Sequence, residues 1–220
     1  MSIIEKWWAR FYFFFTGIYY HIEYRYRPEK GKKYIYCSNH TSLLDTITMG
    51  LIARPIFVFI GKAELLKIPI FGKIFGTFHI PVDRNSKINS YKALKQSELN
   101  LELGRSLVIF PEGGIFTRNP PNMTPFKDGA FRLAIEKKVP ILPVTILHNW
   151  ILLPDRSKHL LELRKKWKPF VKAIVHEPID TQHLTLADVE ILKQQTFDII
   201  NAELKKYFPE RMKQNNPISA

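Results

Sequence analysis

Residues 34–45 read Tyr34-Ile35-Tyr36-Cys37-Ser38-Asn39-His40-Thr41-Ser42-Leu43-Leu44-Asp45. The β-branched and aromatic run Tyr34–Cys37 predicts a strand, and the stretch Ser42–Leu51 predicts a helix that opens on a polar cap. The same alternation continues outward. Ile56–Ile60 predicts a strand, followed by a segment punctuated by Gly, Lys and Pro through Gly76, and Phe78–Val82 predicts another short strand. Helical spacing of Tyr91, Leu94, Leu99 and Leu103 marks a helix over Asn89–Leu103 that ends at Gly104, a natural C-cap. Leu107–Phe110, Ile141–Ile146 and Val171–Val175 read as strands, and Asp128–Lys137 as a short helix. A long helix over Thr185–Tyr207 opens on Thr185-x-x-Asp188, the pattern of a capping box. Strands alternating with helices predict an α/β fold with a mostly parallel central sheet flanked by helices. Ligands of such sheets bind beyond the carboxyl ends of the strands, so residues that follow strands come first in the search for chemistry.

Upstream of this alternation the composition changes. From Trp7 to Tyr20 the chain reads WWARFYFFFTGIYY, which holds nine of its 29 aromatic residues. Read as a helix to Ile22, the segment is about 24 Å long, against a hydrocarbon core of about 30 Å. It leads into His21 and the charged residues Glu23, Arg25, Arg27, Lys30, Lys32 and Lys33, not into a small-residue cleavage site. Trp and Tyr favour the membrane interface and basic flanks favour anionic headgroups. The expected organisation is a membrane-associating helical segment over 1–33, an α/β domain over 34–209 and a mobile tail over 210–220. The segment is read as lying in one leaflet, with packing on its own domain and a partial span as the competing readings.

With 220 residues the chain is one domain in size, and 45% hydrophobic against 24% charged residues is globular composition. A formal net charge of +13 favours anionic partners such as anionic lipid, nucleic acid or phosphorylated substrates. Its one cysteine, Cys37, cannot form an internal disulfide or a multi-cysteine zinc site. The histidines lack paired metal-ligand spacing, so no metal is expected. Cys37 itself reads as a small buried strand residue and not as a nucleophile. The basic and aromatic run Arg164-Lys165-Lys166-Trp167-Lys168 reads as a solvated or membrane-facing patch in preference to a nucleic-acid site.

Three groups follow strands and carry chemistry. A general base needs an imidazole at the mouth of the site and a carboxylate that fixes its tautomer, and His40 with Asp45 offers both. Within one regular helix two residues five apart diverge by about 140°, so the pair can meet only across the loop-to-helix junction. Ser42 and Asp45 equally suit a plain capping box, with His40 merely a polar residue at a helix start. Glu112-Gly113-Gly114 places a carboxylate before two glycines, whose backbone can approach a phosphate or oxyanion closely; an ordinary turn has the same composition. Arg84 follows Pro81-Val82-Asp83, and Lys62 lies upstream; both suit phosphate and both suit plain solvation.

Taken in order, the motifs are His40-x-x-x-x-Asp45, then Gly61-Lys62…Pro69…Gly72…Pro81-Val82-Asp83-Arg84, then Phe110-Pro111-Glu112-Gly113-Gly114. Phe126-Lys127-x-Gly129-Ala130, Val139-Pro140-Ile141-Leu142-Pro143-Val144 and Glu177-Pro178-Ile179 follow. Over roughly residues 34–180 the sequence resembles the glycerolipid acyltransferase superfamily, in particular the 1-acylglycerol-3-phosphate acyltransferases. The resemblance implies transfer of an acyl group from acyl-CoA or acyl-carrier protein to the free hydroxyl of lysophosphatidate, giving phosphatidic acid for phospholipid synthesis, with no cofactor. It implies that His40 is the base and that Asp45 orients it. Lys62, Arg84, Glu112 and Gly113 then match the blocks tied to the acceptor, and Gly114 is a further candidate for substrate binding. The third block departs from the family pattern: Gly114 and Ile115 stand where a small polar residue and an arginine are usual. Arg118, or Arg84, Lys62 and Lys127 together, would then hold the phosphate. This departure leaves another lysolipid or glycerol 3-phosphate open as the acceptor. A non-catalytic membrane- or nucleic-acid-binding protein is the reading from a different class. The expected location is the cytoplasmic face of a membrane, with lipid and the acyl donor as partners and no nucleic acid.

Overall fold

The computed structural model describes residues 2–54, 56–67, 71–83, 87–154 and 170–212. Its centre is a seven-stranded sheet in the order β1-β7-β6-β2-β5-β3-β4. The strands are β1 (Tyr19–Tyr24), β2 (Ile35–Ser38), β3 (Phe57–Lys62), β4 (Ile80–Val82), β5 (Ser106–Ile109), β6 (Ile141–Ile146) and β7 (Phe170–Val175). All neighbours pair in parallel except β6 and β7, which are antiparallel with Val144 opposite Val175. The carboxyl ends of β2, β3, β4, β5 and β6 therefore reach the same edge of the sheet.

Period-two alternation builds the two faces. Ile35 and Cys37 of β2 point into one core with Leu107, Leu133, Ile141 and Leu204, while Tyr34 and Tyr36 point into the other with Met49, Phe59, Val108 and Val144. Helices α4 (Lys87–Glu102), α5 (Gly129–Glu136) and α7 (Val189–Tyr207) supply the first core. Helices α2 (Leu44–Ile52) and α3 (Phe71–Phe78) cover the second. A one-turn helix α6 (Asn149–Leu152) follows β6. The expected capping box is present: Asp188 Oδ2 accepts the Thr185 backbone N–H at 2.7 Å and its hydroxyl at 2.9 Å.

The N-terminal segment differs from its sequence reading. Helix α1 (Ser2–Phe15) stops seven residues before Ile22, because Gly17 turns the chain at φ 64° while Gly17 and Ile18 donate to the carbonyls of Phe14 and Phe13. Tyr19–Tyr24 then pairs in parallel with β7, Tyr19 opposite Phe170 and Tyr24 opposite Val175. The sheet thus begins at Tyr19 and not near Tyr34, and the boundary placed at 33/34 cuts off its edge strand. Helix α1 buries Ala9 and Phe13 against Leu44 and Leu51 of α2, Leu152 and Val171. Its other side leaves Trp7, Trp8, Phe11, Phe14 and Phe15 each more than half exposed.

At the other end, Pro209–Met212 forms a further helical turn, and the Arg211 guanidinium lies 4.9 Å over the Trp150 ring. The packed chain therefore runs past Glu210, where the sequence reading began the tail. Residues 213–220 lie outside the described residues, as do Arg84, Pro69, His159 and the basic run 164–168.

Candidate active site

Strand β2 ends at Ser38, and the next residue locks the site to the sheet. Asn39 is fully buried; its Nδ2 donates to the Ile146 carbonyl at 2.9 Å and its Oδ1 accepts the Ile146 N–H at 2.8 Å. The side-chain amide thus extends the β2–β6 ladder by one rung and fixes where His40 leaves the sheet.

His40 Nδ1 lies 3.2 Å from Asp45 Oδ2. The same carboxylate oxygen accepts the backbone N–H groups of Thr41 at 2.7 Å and Ser42 at 2.8 Å, which curls the loop and carries His40 back over the first turn of α2. The two sequence readings of Asp45, helix-start acceptor and partner of His40, describe one carboxylate doing both. With Nδ1–H directed at Asp45, Nε2 is left as the proton acceptor of the neutral imidazole. Asp45 is fully buried, and its other oxygen accepts from Asn149 Nδ2 at 2.9 Å. Four donors therefore surround a carboxylate that unpaired burial would penalise heavily.

Both carboxylate oxygens of Glu112 are taken up by hydrogen bonds within the protein. Its Oε1 accepts the His40 backbone N–H at 2.8 Å, and its Oε2 accepts the Thr124 N–H at 2.7 Å and hydroxyl at 2.9 Å. The side chain is consumed in tying the loop after β5 to the loop after β2. Burial pushes its carboxyl above the usual carboxylate value, against the pull of these hydrogen bonds. Gly113 turns at φ 80°, and a Cβ placed there would come within 2.8 Å of the Lys127 side chain, so Lys127 lies directly across it. Gly114 is buried beside it.

The remaining expected residues are less gathered. Lys62 is exposed at the carboxyl end of β3, on the same edge of the sheet, and Arg118 is exposed in the loop beyond Gly114. Arg84 falls outside the described residues. Cys37 is buried and burial raises its thiol well above the usual value, which leaves it a packed strand residue. Two contributors were not foreseen. Asn149 lies three residues after β6, so the rule of searching after strands would have found it. Phe110 stacks on the His40 ring, a contact that no sequence spacing shows. Phe110 also borders a cavity of about 410 Å³, lined among others by Ile60, Val82, Leu94, Ile109 and Leu133, with Lys127 among its lining.

A family model described as Acyltransferase matches residues 18–147, more than half of the chain. The 1-acyl-sn-glycerol-3-phosphate acyltransferase of Haemophilus influenzae is 30% identical, over 98% of this chain and 86% of that protein. The chain belongs to the acyltransferase family. A second relative of this acyltransferase, the 1-acyl-sn-glycerol-3-phosphate acyltransferase of Escherichia coli K12, is 35% identical over 84% of the chain and 75% of its own length. The crystal structure of the 1-acyl-sn-glycerophosphate acyltransferase from Thermotoga maritima superposes with a TM-score of 0.75 at 21% identity, covering 94% of this chain and 79% of that one. It shows that the acyltransferase has that α/β fold. The family match begins at residue 18, which includes strand β1 and agrees with its place in the sheet.

Proposed function

We propose that this acyltransferase moves an acyl group from an acyl thioester to the free hydroxyl of 1-acylglycerol 3-phosphate, giving phosphatidic acid. The carrying observation is the 3.2 Å contact between His40 Nδ1 and Asp45 Oδ2 at the carboxyl edge of the sheet. His40 Nε2 takes the proton of the acceptor hydroxyl as its oxygen attacks the thioester carbonyl carbon. The C–S bond then breaks, and the imidazolium returns the proton to the leaving thiolate. Asp45 holds the tautomer and stabilises the imidazolium between the two transfers.

The relatives named above are acyltransferases of 1-acylglycerol 3-phosphate, and they support that acceptor. Lys127, drawn across Gly113, is the proposed phosphate ligand, with Lys62, Arg84 and Arg118 assisting. The apolar cavity bordered by Phe110 is the proposed place of an acyl chain. Acyl-CoA and acyl-carrier protein are both anionic, and a basic chain suits either as donor. Among the described residues no helix is long and apolar enough to cross a membrane. The exposed aromatic side of α1 supports monotopic seating, since an amphipathic helix with Trp and Phe outward binds the membrane interface, and the cytoplasmic face is the proposed side.

The test is thiol release by detergent-purified protein with acyl-CoA or acyl-carrier protein and a panel of lysophosphatidate, glycerol 3-phosphate and phosphate-free lysolipids. Highest turnover on lysophosphatidate, reduced by about two to four powers of ten in His40→Ala, is expected. Preference for a phosphate-free lysolipid would move the acceptor, and a folded, active His40→Ala protein would remove the mechanism.

A further inference from the structure

We infer that Asn149 is a positioning residue for the His40–Asp45 pair, acting through the carboxylate oxygen that His40 does not touch. The inference rests on the reading of His40 as the base. Asn149 is 104 residues beyond Asp45, yet its Nδ2 donates to Asp45 Oδ1 at 2.9 Å and to Thr48 Oγ1 at 2.9 Å. It is fully buried. The Thr48 hydroxyl is itself spent on the Leu44 carbonyl at 2.9 Å, so its oxygen is free to accept and the amide orientation is fixed.

The element that carries Asn149 is held at both ends. Helix α6 starts three residues after β6, whose parallel pairing with β2 brings both carboxyl ends to one edge. Trp150 is buried and its Nε1 donates to the Leu147 carbonyl at 2.7 Å. Beyond the helix, the Leu153 carbonyl accepts the Ser42 hydroxyl at 2.7 Å, which fastens α6 to the loop that bears His40. An amide on so fixed a backbone can aim one N–H at one oxygen.

The second half of the amide shows what the residue is for. Asn149 Oδ1 is buried without a hydrogen-bond partner among the described residues. A side chain selected for packing alone would not bring an unpaired acceptor into the interior. The donor to Asp45 is the half that is used. Through it Asp45 Oδ1 is hydrogen-bonded and pinned, so that Oδ2 stays aimed at Nδ1 and the carboxylate does not rotate away from the imidazole during turnover. Among the described residues, the charged groups hydrogen-bonded to His40 are Asp45 from α2 and Glu112 from the loop after β5.

The experiment compares Asn149→Leu and Asn149→Ala with the unaltered protein, using acyl-CoA and lysophosphatidate and kcat/KM measured across pH. Expected are a fall in kcat of about 10- to 100-fold and KM values within about twofold for both substrates. With the carboxylate no longer held toward Nδ1 the imidazolium is stabilised less, so the acid limb of the pH profile should move downward by about half a unit or more. On an Asp45→Asn background the Asn149 change should add almost nothing, because the two act as a unit. Unchanged kcat with an unmoved acid limb, or a loss that multiplies in full on the Asp45→Asn background, overturns the inference. The isosteric Thr48→Val removes the second anchor of the amide and should shift the same limb by less, which keeps the test open should both Asn149 variants fail to fold. His40→Ala run in parallel separates the two levels. Activity retained there defeats the base assignment, whereas activity lost there and retained in the Asn149 variants defeats this inference alone.

Discussion

The imidazole of His40 lies flat on the ring of Phe110, with centroids 3.9 Å apart and planes 15° from parallel. Asp45 and Glu112 fix the histidine by hydrogen bonds at Nδ1 and at its backbone N–H, and Phe110 fixes the plane of the ring. The same phenyl group also lines the apolar cavity. One side chain thus sets both the direction of Nε2 and the wall along which an acyl chain would lie.

Phe110→Ala should therefore lower kcat by about tenfold or more, since a small misplacement of a general base is costly. It also empties a buried volume, and the expected loss of stability is about 3 kcal/mol or more. Phe110→Tyr and Phe110→Trp keep the stacking surface and should retain more activity than Phe110→Leu. Thermal unfolding and steady-state kinetics on the four variants check the order; equal activity in the leucine and tyrosine variants would remove the stacking argument.

Gly113 is needed twice, for a positive φ and for the approach of Lys127. Gly113→Ala should push the Lys127 side chain off its path and strain the turn. The expected readout is a several-fold rise in KM for lysophosphatidate, with KM for the acyl donor nearly unchanged. Lys127→Met should show the same pattern without the backbone strain, and an unchanged KM in both would assign the phosphate to other cations.

Stability should depend on pH through two buried histidines outside the site. Burial holds His148 and His176 down to about 4, against an ordinary 6.5, with Lys172 adding to the first effect and Arg25 to the second. The unfolded chain then binds more protons than the folded one between pH 6.5 and 4, so stability is lost as pH falls through that window. By pH 5.5 the loss should be about 1 kcal/mol per histidine. Thermal melts of a His176→Asn protein, which removes one of the two groups, should show roughly half the pH dependence; an equally steep slope would place the effect elsewhere.

Helix α1 separates its two sides by residue. Ala9 and Phe13 are buried on the domain, and Trp8 and Phe14 are 66% and 79% exposed. Trp8→Glu with Phe14→Glu should release the protein from vesicles containing anionic lipid while leaving the melting temperature nearly unchanged. Phe13→Ala should do the reverse, lowering stability while leaving vesicle binding intact. Removing residues 1–22 is a poorer experiment than removing an exposed face, because it also takes four residues of strand β1. If the double glutamate variant stays bound to vesicles at moderate salt, the aromatic face is not the anchor.

Local pattern carried most of the architecture. The apolar runs Tyr34–Cys37 and Ile56–Ile60 marked central strands, because strands buried on both faces have few other compositions available. The capping box at Thr185 and Asp188 marked a helix start for the same kind of reason: its partners are three residues apart. His40 and Asp45 were legible because the contact between them is made within six residues.

Strand β1, the tie of Glu112 to His40 and the amide of Asn149 were decided only when the chain closed on itself. Tyr19–Tyr24 follows an aromatic helix and looks like its continuation; it becomes a strand because β7, some 150 residues away, offers an unpaired edge. Glu112 has the composition of a ligand-facing carboxylate, yet its oxygens are taken by the backbone N–H of His40, from the loop after β2, and that of Thr124, twelve residues along its own loop. Asn149 is an ordinary polar residue after a strand until the β2–β6 pairing sets it against Asp45. A sequence specifies hydrogen bonds that close within a turn or two, because the backbone geometry there is limited. Bonds across a hundred residues depend on strand order and register, and those are settled by the packing of the whole core.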